Sequence, residues 1–121
     1  MPVVISKVLP LKVPLIVWID PTNICNFKCT FCPTGDDQLL KSVSRPKGMM
    51  KLEVFEKTIN DLSLMVNKYN SRPLQISLYK DGEPLLNKNL PKMLKMVSNA
   101  KLTNQLEITT NGSGLTKKKS E

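Results

Sequence analysis

Every thiol in this chain lies within eight residues, in the run Cys25-Asn26-Phe27-Lys28-Cys29-Thr30-Phe31-Cys32, and the chain has no histidine at all. Without an imidazole there is no His general base, no Ser-His or Cys-His pair and no Cys/His zinc finger. Any catalysis must therefore come from carboxylates, thiols or a bound cofactor. Three thiols leave one unpaired in any disulfide scheme. The N-terminal Met1–Lys7 also lacks the charged start and small-residue cleavage site of a signal peptide. A cytoplasmic location is expected.

Several chemistries could use such a loop. Free cysteines that merely fill space as small hydrophobes would be scattered through strands and helices. A structural zinc site normally has four protein ligands, so a carboxylate such as Asp36 or Asp37 would have to complete it. A Cys29/Cys32 redox pair would leave Cys25 without a role. A four-iron cluster is usually held by four thiolates. Three thiolates in one loop can hold three irons and leave the fourth open, which is a reactive arrangement rather than a plain electron relay.

The chain around the loop alternates strand and helix. Residues 1–13 are punctuated by Pro2 and Pro10 and read as extended. Leu15–Ile19, between Pro14 and Pro21, is an apolar, partly β-branched run that reads as a strand covered on both faces. Gly35–Gly48 shows no periodicity. From Lys51 to Tyr69, Leu52, Phe55, Ile59, Leu62, Val66 and Tyr69 recur at helical spacing, and Asn70-Ser71-Arg72-Pro73 ends the pattern. Leu74–Tyr79 alternates as a second strand. A second helix, about Leu90 to Lys101, presents Leu90, Leu94 and Val97, with Asn89 as its cap and Pro91 in its first turn. Gln105–Thr110 is a third strand, closed by Asn111-Gly112.

Strand, helix, strand, helix, strand predicts a parallel α/β sheet with right-handed crossovers. Ligands in such sheets gather at the carboxyl ends of the strands. The cysteine loop, Asp81-Gly82-Glu83-Pro84 and Thr110-Asn111-Gly112 each follow one of the three strands, so the topology brings them to one rim.

Cys25, Cys29, Phe31 and Cys32, as Cys-x-x-x-Cys-x-aromatic-Cys after a first strand, match position by position the motif of the radical S-adenosylmethionine (radical SAM) superfamily, which the chain resembles. Gly82, Glu83 and Pro84 resemble that family's Gly-Gly-Glu turn, with Asp81 in place of the first glycine, and Thr110-Asn111-Gly112 resembles its third-strand turn. Glycine, proline and Asn-Gly also occur in ordinary turns. The stretch Arg45-Pro46-Lys47-Gly48-Met49-Met50 resembles the same loop in members that carry a C-terminal SPASM domain, an accessory iron–sulfur domain of peptide- and sugar-modifying enzymes. Its methionines would serve a core equally well.

The resemblance implies a 4Fe-4S cluster on Cys25, Cys29 and Cys32, and S-adenosyl-L-methionine chelated at the open iron. It implies adenine-side contact by Phe31, methionine-amine binding around Gly82 and Glu83, and a cofactor-side place for Asn111. Reduction of the cluster then cleaves the sulfonium bond, and the 5'-deoxyadenosyl radical abstracts hydrogen from a substrate. Implied partners are an external low-potential electron donor and a peptide or sugar derivative.

The resemblance runs from about Leu15 to Gly114. It corresponds to the first half of a partial (β/α)6 TIM-like barrel, for which six units need about 190 residues. The expected organisation is an extended segment at 1–14, a truncated core at 15–114 and a lysine-rich tail at 115–121. The chain would then be a fragment of a larger enzyme. The alternatives are a small iron–sulfur or zinc module without radical chemistry, or a half-barrel completed by another chain, with self-association through the exposed third-strand edge. The net charge of +8, from 18 Lys and Arg against 10 Asp and Glu, raises the question of a nucleic-acid partner. The lysines are dispersed and only six aromatic residues exist for stacking, so a solvated basic face is expected instead. No apolar run approaches the roughly 20 residues of a membrane span.

Overall fold

The helical stretch that follows the cysteine loop builds most of the core. In the computed structural model, which describes residues 4–7 and 9–120, helix α2 spans Leu52–Tyr69. Phe55, Ile59 and Leu62 lie on one face at spacings of four and three, and all three are buried. Leu52 and Val66 extend that stripe at the edge of the core. Tyr69 does not; it is exposed, and the Lys68 ammonium lies over its ring. Asn70 ends the helix in the left-handed conformation, a position where Asn is better tolerated than most residues.

The predicted strands form one parallel sheet in the order β1-β2-β3, with β1 at Ile16–Trp18, β2 at Gln75–Ser77 and β3 at Gln105–Glu107. Val17 pairs with Ile76, and Ile76 with Leu106. Helix α3, Leu90–Ala100, packs beside α2 and buries Leu90, Met93 and Val97. Ile19, Ile76 and Leu78 join these residues in one core on the helix side of the sheet. This is the α/β architecture that the alternation predicts. No helix among the described residues is long and apolar enough to cross a membrane.

Four local expectations change. β1 is covered on one face only: Val17 and Ile19 meet the core, whereas Ile16 and Trp18 stand on the other face, with Trp18 53 % exposed. Both helices that pack on the sheet lie on one side, so an apolar run here does not mean two-sided burial. The aperiodic Gly35–Gly48 stretch contains a short helix, α1, at Asp37–Ser42. The Asp36 carboxylate caps it by accepting from the Gln38 and Leu39 N–H groups, and Leu40 is buried beneath it. Asn89 occupies the N-cap position of α3, but its side chain does not cap; its own N–H donates to Asn87 Oδ1. At the ends, Ile5–Lys7 forms a short 3-10 turn and Lys117–Ser120 a single helical turn, α4, while expectations for residues 1–3, 8 and 121 lie outside the described residues.

Phe55 is fully buried where α2 meets the sheet. Truncation to alanine should cost about 3–5 kcal/mol, read as a fall in the urea midpoint at unchanged m-value.

Candidate functional site

The chain beyond β1 is fastened before it reaches the first cysteine. Thr22 and Met49 form an isolated antiparallel bridge, Thr22 Oγ1 donates to the Gly48 carbonyl, and Asn23 exchanges bonds with the Pro46 carbonyl and the Gly48 N–H. Buried Asn87 donates to the carbonyls of both Pro21 and Met50. The Arg45–Met50 stretch therefore runs as a splint along residues 20–24.

The turn after β2 meets the same segment from the other side. A Cβ on Gly82 would stand 2.1 Å from the Thr22 carbonyl oxygen and 2.7 Å from that of Ile24. Only glycine permits this approach. The next N–H, of Glu83, donates to the Ile24 carbonyl at 2.9 Å, one residue before Cys25.

Glu83 then joins the second rim loop to the third. Its side chain is 2 % exposed. Oε1 accepts from the Leu85 N–H and the Thr110 hydroxyl, and Oε2 accepts the Asn111 N–H at 2.7 Å. Three donors offset the cost of burying the carboxylate. They also engage both carboxylate oxygens within the protein, so what this stretch offers outward is chiefly backbone.

The third loop reaches back to the first. Asn111 Nδ2 donates to Asn26 Oδ1 at 2.9 Å and stands 4.0 Å from Cys25 Sγ, and Asn26 Nδ2 donates to Ser113 Oγ. The residues singled out at Cys25, Gly82, Glu83 and Asn111 thus form one connected cluster of loops. Phe31 stands apart, 88 % exposed. Sequence reasoning missed Asn26, Ser113, Thr22 and Asn87, the fasteners of this rim; their type, Asn, Ser and Thr in loops, is the only signal they carry.

Inside the cysteine loop, the Cys32 N–H donates to the Cys29 carbonyl and the Gly35 N–H to that of Cys32. The chain folds back so closely that a Cβ on Gly35 would lie 3.0 Å from Lys28 Cα. Cys29 is exposed, Cys25 and Cys32 are half-buried, and all three are free thiols. The Thr34 hydroxyl, 2.9 Å from Cys32 Sγ, holds that thiol below its ordinary pKa, helped by the Thr34 N–H. Beside the loop, Lys28 and Lys47 both pair with Asp37 and depress its carboxyl to about 2. Asp81, in place of the expected first glycine, pairs with Arg45 and donates its N–H to Asp20 Oδ2. Burial raises the Asp20 pKa, and Asp20 Oδ1 is buried without a partner.

The donor set fits an iron–sulfur cluster: three accessible or half-buried thiols on one loop, with Cys32 biased toward thiolate. Among the described residues no group of three or more His, Cys, Asp or Glu side chains is gathered as a single ion would require. A cluster takes one thiolate per iron and does not demand that convergence.

A family model described as the radical SAM superfamily matches residues 19–121. A crystal structure of BtrN in complex with AdoMet and 2-DOIA is similar, with a TM-score of 0.67, 28% identity and 87% of this chain covered. A second, of BtrN in an open conformation, gives 0.66, 26% and 88%. The chain spans 39% and 42% of the length of those two BtrN chains.

Gly82→Ala should destabilise the chain by about 1–3 kcal/mol through backbone overpacking and speed hydrogen exchange at residues 22–26, as mass spectrometry would show. The Asp37 pair predicts a pH dependence of defined sign. A depressed carboxylate contributes stability that is fully present above its ordinary value of 3.8 and is lost as pH falls toward 2. NMR titration should place the Asp37 midpoint near 2, and Lys28→Ala with Lys47→Ala should return it toward 3.8.

Proposed function

The chain belongs to the radical SAM superfamily, and from that premise we propose that Cys25, Cys29 and Cys32 hold a 4Fe-4S cluster beside a site for S-adenosyl-L-methionine. The observation that carries this reading is the fastening of all three post-strand loops into one rim, through Glu83 N to Ile24 and through Asn111 to Glu83 and Asn26. When bound, the cluster and S-adenosylmethionine supply one-electron cleavage of a sulfonium bond and a radical able to take hydrogen from carbon.

The chain's own part is ligation and orientation. Cys25, Cys29 and Cys32 would ligate one iron each and leave one iron of the cluster without a protein ligand. Because the Glu83 carboxylate is engaged by Leu85, Thr110 and Asn111, methionine-amine binding near Gly82 and Glu83 falls to backbone groups. Phe31, exposed beside Cys32, is free to cover the adenine side. Asn111 bears on the cluster side through its amide.

The remaining assignments belong to the same proposal: an external low-potential electron donor, a peptide or sugar derivative as substrate, a cytoplasmic location and a place in the SPASM-bearing subgroup. The last rests on the Arg45–Met50 loop. A specific observation also favours a larger assembly. The sheet face bearing Ile16 and Trp18 is uncovered, which suits further strands supplied by the same polypeptide or by another chain.

Anaerobic reconstitution with iron and sulfide tests the core of the proposal. It should load on the order of four irons per chain, and alanine at Cys25, Cys29 or Cys32 should each abolish the cluster's visible absorption. Addition of reductant and S-adenosylmethionine should then release 5'-deoxyadenosine. Retention of zinc with no iron–sulfur chromophore would sink the reading.

A further inference from the structure

The Asn111 side chain makes a closed ring of hydrogen bonds. Its Oδ1 accepts from both the N–H and the hydroxyl of Ser113, at 2.9 and 2.8 Å. Its Nδ2 donates to Asn26 Oδ1, and Asn26 Nδ2 donates to Ser113 Oγ, which closes the circuit. This ring decides which way the Asn111 amide points. Turned over, the amide would set oxygen against Asn26 Oδ1 and NH2 against the Ser113 N–H, so two of its three ring bonds would become acceptor–acceptor or donor–donor contacts, and only the Ser113 hydroxyl, able to donate or accept, could adapt.

An amide nitrogen has two hydrogens, and Asn26 uses one. The second remains on the side of Cys25 Sγ, 4.0 Å away. Cys25 Sγ also accepts from the Phe27 N–H at 3.4 Å. The backbone behind Asn111 is fixed too. Its N–H is held by buried Glu83 Oε2, and the Thr110 hydroxyl, which donates to Glu83 Oε1, accepts the Gly112 N–H.

We infer that Asn111 is a positioning residue that directs an amide N–H at the Cys25 thiolate and thereby raises the reduction potential of the cluster. Hydrogen bonds to ligating sulfurs are one of the determinants of iron–sulfur potentials, because a positive hydrogen near sulfur favours the form carrying the extra electron. The inference rests on the cluster assignment of the preceding subsection. It adds that the third-strand turn serves the metal ligand as well as the cofactor side of the rim.

Two variants test it, with the midpoint potential read by electron paramagnetic resonance during dithionite titration of the reconstituted chain. Asn111→Leu keeps nearly the same size and removes the donor without adding charge. Asn111→Ala removes the donor and the ring bonds together. The potential should fall in both, with iron content and circular dichroism unchanged. An Asn111→Leu protein that loads its cluster at the unmodified potential overturns the inference. Should that variant fail to fold, Asn111→Ala decides alone: a lower potential upholds the inference and an unchanged one overturns it. Failure of the unmodified chain to assemble a four-iron cluster would instead defeat the cluster assignment, so the two failures are distinguishable.

Discussion

The rim depends on the contact of a bare backbone with two carbonyls. At Gly82 the turn after β2 comes so close to Thr22 and Ile24 that any side chain would collide with main-chain atoms. From that contact the Glu83 N–H reaches Ile24, and the Glu83 carboxylate lies buried between the second and third loops. An internal carboxylate with too few donors would be a liability of several kcal/mol. Here it has the Leu85 and Asn111 N–H groups and the Thr110 hydroxyl, and it turns two independent loops into one body. Were the Gly82 approach lost, the partners of Glu83 would no longer face it, and the Asn111 amide would lose its place beside the cysteine loop.

This arrangement also explains how such short strands can carry a site. Each strand is three residues long, so ladder hydrogen bonds alone fix little beyond the middle of the sheet. Above it, side chains bonding to distant main chain take over. Thr22 and Asn23 hold the Arg45–Met50 splint, and Asn87 ties Pro21 to Met50. These are neutral hydrogen bonds of about 1 kcal/mol net each, and their value lies in joining segments far apart in sequence. The ion pairs of Lys28 and Lys47 with Asp37 are exposed and contribute little by comparison.

The sheet order, the two long helices and the meeting of three loops were legible because each depends on a repeating pattern or on position after a strand. Phe55, Ile59 and Leu62 announce α2 by spacing alone. Helix α1 escaped because six residues with one buried apolar side chain, Leu40, give no period to detect; its sign was the Asp36 cap. Two-sided burial of β1 was misjudged because an apolar run records composition, and which face is covered depends on where helices from elsewhere in the chain are placed. The family resemblance, carried by four residues of the cysteine loop, was readable at once. The hydrogen-bond ring of Asn26, Asn111 and Ser113 was not, since its members are 87 residues apart at the widest and no local rule links them.

Trp18 is the chain's single tryptophan, and it points from β1 away from the helices. Its indole is therefore blind to the packing of Phe55, Met93 and Val97 and sensitive to whatever approaches the opposite side of the sheet. Intrinsic fluorescence will separate two events that are usually confounded. Collapse of the helical layer should leave the emission close to that of a wet indole, and enclosure of the sheet's far side should move it to the blue. The molecule thus carries its own optical gauge of enclosure, independent of its gauge of folding.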